Sequence, residues 1–261
     1  MRLTRIHVDA PLAPGLRVPL PVAAAAHLQR VLRLGVGDAC VLFNGDGRDY
    51  AARISSVGKR ELLVDIEDAR LVDNESPLRI TLLQAVARGE KMDWILQKAT
   101  ELGVVAVLPV DSERSEVKLA GTRAERRLGH WRNVLASACE QCGRARLPGI
   151  EPPLPLASAL AQLPAGGLRL LLDPQGGLAV PGLQPSAGVG AGNGGPADRQ
   201  PSAAPGIVLA VGPEGGWSPR DRAQLHASGF EGLRLGPRIL RTETAGLAAI
   251  AALQARFGDL R

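Results

Sequence analysis

Two stretches hold the residues most suited to chemistry. Residues 211–221 read VGPEGGWSPRD and residues 235–245 read LGPRILRTETA. Each places a Gly-Pro step, Gly212-Pro213 or Gly236-Pro237, directly after an apolar run. Loops this poor in side chains let main-chain N–H and C=O groups approach a ligand closely. The groups that could act on such a ligand lie within or just behind them: Glu214 and Glu243 as carboxylates, Arg238 and Arg241 as cations, and Thr242 as a hydroxyl. One loop of this kind reads as an ordinary tight turn. Two together read as a clasp for a flat heterocycle held by main-chain hydrogen bonds, and the reaction stays open on this ground alone. Other chemistries lack support. Cys139 and Cys142 form a single C-x-x-C, which cannot complete a four-ligand zinc site. Their spacing on an apolar helix face fits core packing. His7, His27, His130 and His226 form no cluster, and neither a G-x-S-x-G elbow nor a P-loop occurs. No metal site is expected.

The elements that must position the two loops are legible as strand–helix alternation after a polar hinge, DNESP, near residue 73. LRITLLQAVA (78–87), VVAVLPV (104–110), LRLLL (168–172), IVLAV (207–211) and a short GLRLG (232–236) predict strands. Met92, Ile95, Leu96, Ala99 and Leu102 fall at helical spacing, with Gly103 as a natural C-cap. Ser218, Pro219 and Asp221 open another helix. A last helix carries Leu247, Ile250, Leu253 and Phe257 as its buried stripe. The pattern predicts a mainly parallel sheet with helices on both faces. In such a sheet, ligands sit beyond the carboxyl ends of the strands, where both Gly-Pro loops fall. Residues 1–72 predict a small β-rich unit, a compact barrel with one short helix ending at a glycine. Residues 176–206 are Gly, Pro, Ala and Ser with few large apolar side chains, and predict a flexible surface insertion. The GVGAG inside it has no strand before it and no helix after it, so it is no dinucleotide fingerprint.

The 261 residues are 45% hydrophobic and only 3% aromatic, so aliphatic side chains must fill the core. Basic residues number 31 against 26 acidic, a net charge of +5 that fits a polyanionic partner. Residues 113–146 alone hold eight basic and four acidic side chains. Three cysteines argue against a disulfide framework and for a reducing, cytoplasmic compartment. His7, Asp9, Arg17 and several prolines interrupt the N-terminal apolar run, so no cleaved leader is expected. Nor does any apolar run reach the roughly 18 residues of a membrane span.

Taken together, RGEKMDWILQKATELGV (88–104), ACEQCGRARLP (138–148), VGPEGGWSPRD (211–221), LGPRILRTETAGLAAIAALQ (235–254) and, near the N-terminus, RVLRLGVGD (30–38) resemble the bacterial small-subunit rRNA uridine-N3 methyltransferases. The resemblance runs from end to end apart from 176–206. It implies a PUA-like β-barrel over 1–72 and a SPOUT α/β domain over 73–261, whose C-terminal chain forms a deep trefoil knot. Chains generally avoid knots, so periodicity does not suggest one. The resemblance also implies a homodimer, S-adenosylmethionine as methyl donor, and 16S rRNA, within the assembled small subunit, as partner. On this reading the donor is bent between three walls. Leu172 and Asp173 form one. Val211, Gly212, Pro213, Glu214, Gly215 and Gly216 form the second. The third is Leu235, Gly236 and Leu240, with Thr242, Thr244 and Ala245. Arg241 would stabilise the uracil anion, and Glu214 or Glu243 would take the N3 proton. The ordinary alternatives are that Glu243 is a helix N-terminal carboxylate and that Glu214 holds its loop closed. Arg5, Arg30 and Arg33, with Arg88, Lys91, Arg114 and Arg144, would grip RNA phosphates. Two other readings stay open: a SPOUT ribose 2′-O-methyltransferase acting on tRNA or rRNA, and a non-catalytic RNA-binding protein on the same fold.

Overall fold

The computed structural model describes residues 3–58, 61–119, 121–184 and 206–260. The chain divides into two compact units: Met1–Glu75 with Ala136–Leu147, and Ser76–Leu135 with Pro148–Arg261.

The first unit contains β1 (Arg5–His7), β2 (Arg17–Pro19), α1 (Val22–Ala26) running into one π-helical turn (His27–Val31), β3 (Ala39–Phe43), β4 (Arg48–Val57) and β5 (Leu62–Leu71). Its strands are ordered β1-β3-β4-β5-β2. Only β1 and β3 pair in parallel. Alternating positions on the strands bury Ile6, Val18, Leu42, Ile54 and Val64 against Leu28 of the helical turn. Among the described residues the path has two edge strands, so the sheet is not the closed barrel expected. Both edges are only three residues long. The stretch joining them carries Pro11 and Pro14, and Pro19 ends β2; prolines have no N–H to donate to a ladder.

The second unit contains β6 (Ile80–Ala85), α2 (Lys91–Glu101), β7 (Ala106–Asp111), α3 (Gly121–Cys142, whose last seven residues belong to the first unit), β8 (Gly149–Ile150), β9 (Leu154–Pro155), α4 (Leu156–Ala161), β10 (Leu168–Leu172), β11 (Ile207–Val211), α5 (Pro219–Ala227), β12 (Glu231–Leu233) and α6 (Thr242–Phe257). Its sheet runs β12-β10-β11-β6-β7-β8, with β9 also on β7. Every pairing is parallel. The continuous apolar runs are explained by burial on both faces. Ile80, Leu82, Leu170, Leu209 and Val211 point to one side, where they meet Met92 and Ile95 of α2, Trp131 of α3 and Ile250 of α6. Leu83, Ala85, Leu171, Val208 and Ala210 point to the other, against Leu160 of α4, Leu225 of α5 and Trp217 just before α5. No helix among the described residues is long and apolar enough to cross a membrane.

The stretch expected to be an insertion from 176 lies mostly outside the described residues, at 185–205. Its start is part of the fold. Leu178 bridges Leu233, with Leu178 N–H on the Gly232 carbonyl and Arg234 N–H on the Leu178 carbonyl. Leu183 is buried in the core. The sparse composition concealed this because the contacts are made by main chain and two leucines.

Candidate active site

β10 lies between β12 and β11, all parallel, so the loops leaving their carboxyl ends gather at one edge of the sheet. They surround a cavity of about 520 Å³, within the ~300–1,000 Å³ typical of small-molecule sites. The expected residues Leu172, Asp173, Val211, Gly212, Pro213, Glu214, Gly215, Gly216, Leu235, Gly236, Leu240, Arg241, Thr242 and Ala245 all line it. Thr244 and Glu243 do not. Thr244 is exposed, and Glu243 turns to Lys91 instead. Arg238, named above as a cation that could act on the ligand, and Pro174 also stand on the wall; sequence reasoning missed Trp217, Arg222, Leu233 and Ile239, and assigned Lys91 to RNA rather than to the cavity. Trp217 was within reach, because a lone aromatic beside GPEGG has little else to pack against.

Short-range chemistry shapes each wall. The Gly212 carbonyl accepts a 2.5 Å hydrogen bond from Thr242 Oγ1, which ties the second loop to the start of α6. Thr242 Oγ1 in turn accepts from Nε2 of the fully buried Gln84 at 3.3 Å. A Cβ on Gly212 would sit 3.2 Å from the Trp217 ring, so a side chain here would make the tryptophan give by a few tenths of an ångström. Gly216 has φ +66° and donates to the Pro213 carbonyl at 2.9 Å, a turn that a side chain would strain. Ser218 and Asp221 form the capping box that starts α5. Arg114 Nη1 donates to the Gly215 carbonyl at 3.0 Å and holds the loop from outside. On the first wall, the buried Asp173 carboxylate is committed to Arg222 and to the Gln175 amide (2.9 Å). Asp173 therefore shapes the wall rather than offering a free acceptor.

The charges are unevenly shared. Glu214 Oε1 accepts from Lys91 Nζ at 3.1 Å and from the Arg88 amide at 3.3 Å. Partial burial pushes its carboxyl up, but main-chain hydrogen bonds and Lys91 outweigh that and hold it below the ordinary range. Lys91 also lies 3.9 Å from Glu243 Oε2, a buried atom with no hydrogen-bond partner. Arg238 and Arg241 are exposed on the wall without an ion pair among the described residues. The cavity thus combines an apolar floor, main-chain polar groups and uncompensated positive charge.

The expected RNA contacts divide sharply. Arg30 and Arg33 are exposed on the first unit, and Arg33 has φ +57°. Arg88 and Arg114 are exposed on the second unit, Arg88 paired with Glu116 at 3.0 Å. Arg5 and Arg144 are not surface groups. Arg5 is buried on Asp49 (2.5 Å), the Arg144 carbonyl (2.9 Å) and the Phe43 ring (4.8 Å). Arg144 is 5% exposed and forks onto Glu75 at 3.0 and 2.6 Å. Both guanidinium groups serve the first unit's interior, and neither presents its fork to phosphate. Cys139 is also a core residue, its thiol pushed well up by a hydrogen bond with Cys142 and by burial.

Known proteins share this arrangement. Residues 74–254 match the family described as an RNA methyltransferase domain, and residues 20–67 match the RNA methyltransferase PUA domain. Ribosomal RNA small subunit methyltransferase E of Synechocystis is 34% identical over 91% of this chain and 73% of its own length. The Neisseria gonorrhoeae protein of the same name, solved bound to S-adenosyl methionine, is 38% identical with a TM-score of 0.82, and the match covers 100% of both chains. A Legionella pneumophila methyltransferase solved with bound cofactor SAM is 35% identical with a TM-score of 0.88, again over 100% of both chains. With a parallel α/β unit that gathers three loops around one cavity, and with both family matches in place, the chain belongs to the RNA methyltransferase family that pairs a PUA domain with a methyltransferase domain.

Proposed function

We propose that the chain transfers the methyl group of S-adenosylmethionine to N3 of a specific uridine in 16S rRNA of the small ribosomal subunit. The observation that carries this is the cavity bounded by three loops at the sheet edge, in a chain similar to small-subunit rRNA methyltransferases over its full length. The residues present fit the donor. The volume suits a nucleoside-sized ligand, and Gly212, Gly215, Gly216 and Gly236 leave main chain open on two walls. Leu172, Leu235 and Leu240 offer apolar contact to a heterocycle, and Asp173, Val211, Pro213, Thr242 and Ala245 complete the cradle. S-adenosylmethionine, when bound, supplies an electrophilic methyl group on a sulfonium.

The chain's own residues then have three tasks. The glycine loops orient donor against acceptor, and orientation alone can supply much of a rate enhancement. Arg241 sets positive potential where N3 gives up its proton to solvent water and becomes anionic, so that its lone pair takes the methyl group as the donor's sulfur leaves as a neutral thioether. Glu214, Glu243 and Lys91 hold the loops together. A carboxyl kept below its ordinary range is a poor proton acceptor, so the geometry favours the clasp role for Glu214 over that of general base. Thr244 lies off the wall and acts on the donor only through the α6 start. Residues 1–72 serve as a PUA-like RNA-binding domain and 73–261 as a SPOUT domain with the family's trefoil knot. The protein acts in the cytoplasm as a homodimer. Trp94 and Ile239, 46% and 85% exposed, are apolar side chains that a second copy would cover.

The test is methyl transfer from labelled S-adenosylmethionine to small subunits, free 16S rRNA and tRNA, with the product mapped by mass spectrometry. One methyl on uridine N3 of the rRNA is expected. A methyl on a ribose or on tRNA would reassign the reaction. Absence of both transfer and donor binding would leave an RNA-binding protein on this fold.

A further inference from the structure

A second cavity, about 410 Å³, opens in the methyltransferase unit where α3 begins. Its floor is apolar, with Val86, Val117 and Leu119. Its wall is Arg123, Arg126, Arg127 and His130, which follow the i, i+3, i+4, i+7 spacing of one helix face. This arrangement opposes helix stability. The arginines at these spacings repel one another, and near a helix N-terminus they also meet the positive end of its dipole. Two of the four are held in place. Arg127 Nη2 donates to the Gly89 carbonyl at 2.8 Å, and His130 Nε2 meets Asp93 Oδ2 at 2.7 Å. Arg123 and Arg126 are exposed and have no ion pair among the described residues. No ion pair among the described residues offsets their charge, and an anion would.

Segment 86–91 joins this cavity to the donor site. On one side the Arg88 amide and Lys91 hold Glu214 of the donor cavity. On the other the Gly89 carbonyl receives Arg127. We infer that the second cavity binds a nucleotide of the substrate RNA flanking the target uridine, with its base on the apolar floor and its phosphates on Arg123 and Arg126. An apolar floor with arginine walls suits an unstacked base and its backbone, since every base has a face that stacks and Arg forks match phosphate. This rests on the rRNA methyltransferase reading.

The test uses the full chain with Arg123→Glu/Arg126→Glu, and with Arg123→Gln/Arg126→Gln should the first lose its folded thermal transition. The readouts are donor affinity by calorimetry, methyl-transfer kinetics on free 16S rRNA, and salt dependence of RNA binding. A KM for RNA raised about tenfold or more is expected, because two phosphate contacts are removed. The slope of log Kd against log salt should fall by about 1.4, the single-strand value for two phosphates. Donor affinity should hold, and Arg123→Lys/Arg126→Lys should recover most of the loss. An unchanged KM and salt slope, while the unaltered protein methylates rRNA, would overturn the inference and leave the reaction standing. Failure of the unaltered protein to methylate any RNA would overturn the reaction reading and the inference with it. A loss confined to assembled subunits, with free rRNA handled normally, would assign the cavity to a ribosomal protein and overturn it too.

Discussion

At the residue scale, each charged side chain is defined by what already holds it. Arg241 stands on the cavity wall with no ion-pair partner among the described residues, so its charge is available to a developing anion. Arg241→Ala is expected to lower kcat about 10²–10³-fold at saturating donor, the usual cost of one preorganised electrostatic group. A change below tenfold would place the stabilising charge elsewhere. Glu214 is the opposite case. Its carboxyl sits below the ordinary value because main-chain hydrogen bonds and Lys91 outweigh partial burial. A depressed folded-state value means the clasp stabilises fully above the unfolded carboxyl value, and is lost as pH falls through the folded one. Glu214→Gln should therefore flatten the acid side of the thermal-stability profile while leaving the shape of the pH–kcat profile intact. A rate profile that lost its fall on the acid side, with kcat much reduced, would identify Glu214 as the proton acceptor instead. Arg144→Ala should cost about 3–5 kcal/mol, because it removes the buried guanidinium that forks onto the Glu75 carboxylate; chemical denaturation measures it.

At the element scale, the three loops work because strands β12, β10 and β11 are adjacent and parallel. Main chain packs on main chain where they leave the sheet. A Cβ on Gly176 would lie 2.5 Å from the Gly232 carbonyl carbon and oxygen, whereas one on Gly177 would meet nothing within 4 Å. Gly176→Ala is expected to destabilise by at least about 2 kcal/mol, since backbone cannot yield as a side chain can. Gly177→Ala should stay within about 0.5 kcal/mol. Equal thermal shifts in the pair would show that the β10 loop does not press on β12. The same geometry bears on the donor. Gly212→Ala would push on the Trp217 ring at 3.2 Å, and about a tenfold weaker donor affinity is expected by calorimetry.

At the scale of the whole molecule, one compact unit holds the loop-lined cavity and the other carries exposed arginines. Arg30 and Arg33 sit in or just after the helical turn of the first unit, beside the exposed Val31 and Leu32. Arg30→Glu with Arg33→Glu should weaken rRNA binding by tenfold or more at physiological salt, since each replaced cation forfeits a phosphate contact. Donor affinity should be untouched. Equal loss of both in one calorimetric series would indicate misfolding rather than a lost RNA contact.

By itself the sequence determined the order and type of the elements. Buried parallel strands must be apolar runs, and helices must carry a 3.6-residue stripe, so IVLAV, LRLLL and the Met92–Ile95–Leu96–Ala99 face were readable directly. It also located the two glycine loops, because main-chain recognition excludes side chains. Only the tertiary structure decided which arginines face solvent. Arg5 and Arg144 look like Arg30 and Arg33 in composition, and differ because Asp49 and Glu75 are brought to them across 44 and 69 residues. It likewise moved Lys91 onto the cavity wall and Glu243 off it, and made residues 176–183 part of the fold through contacts with β12 and the core. Local pattern records how a segment pairs with its own neighbours, whereas a charge's role depends on partners set by chain topology, which no short window contains.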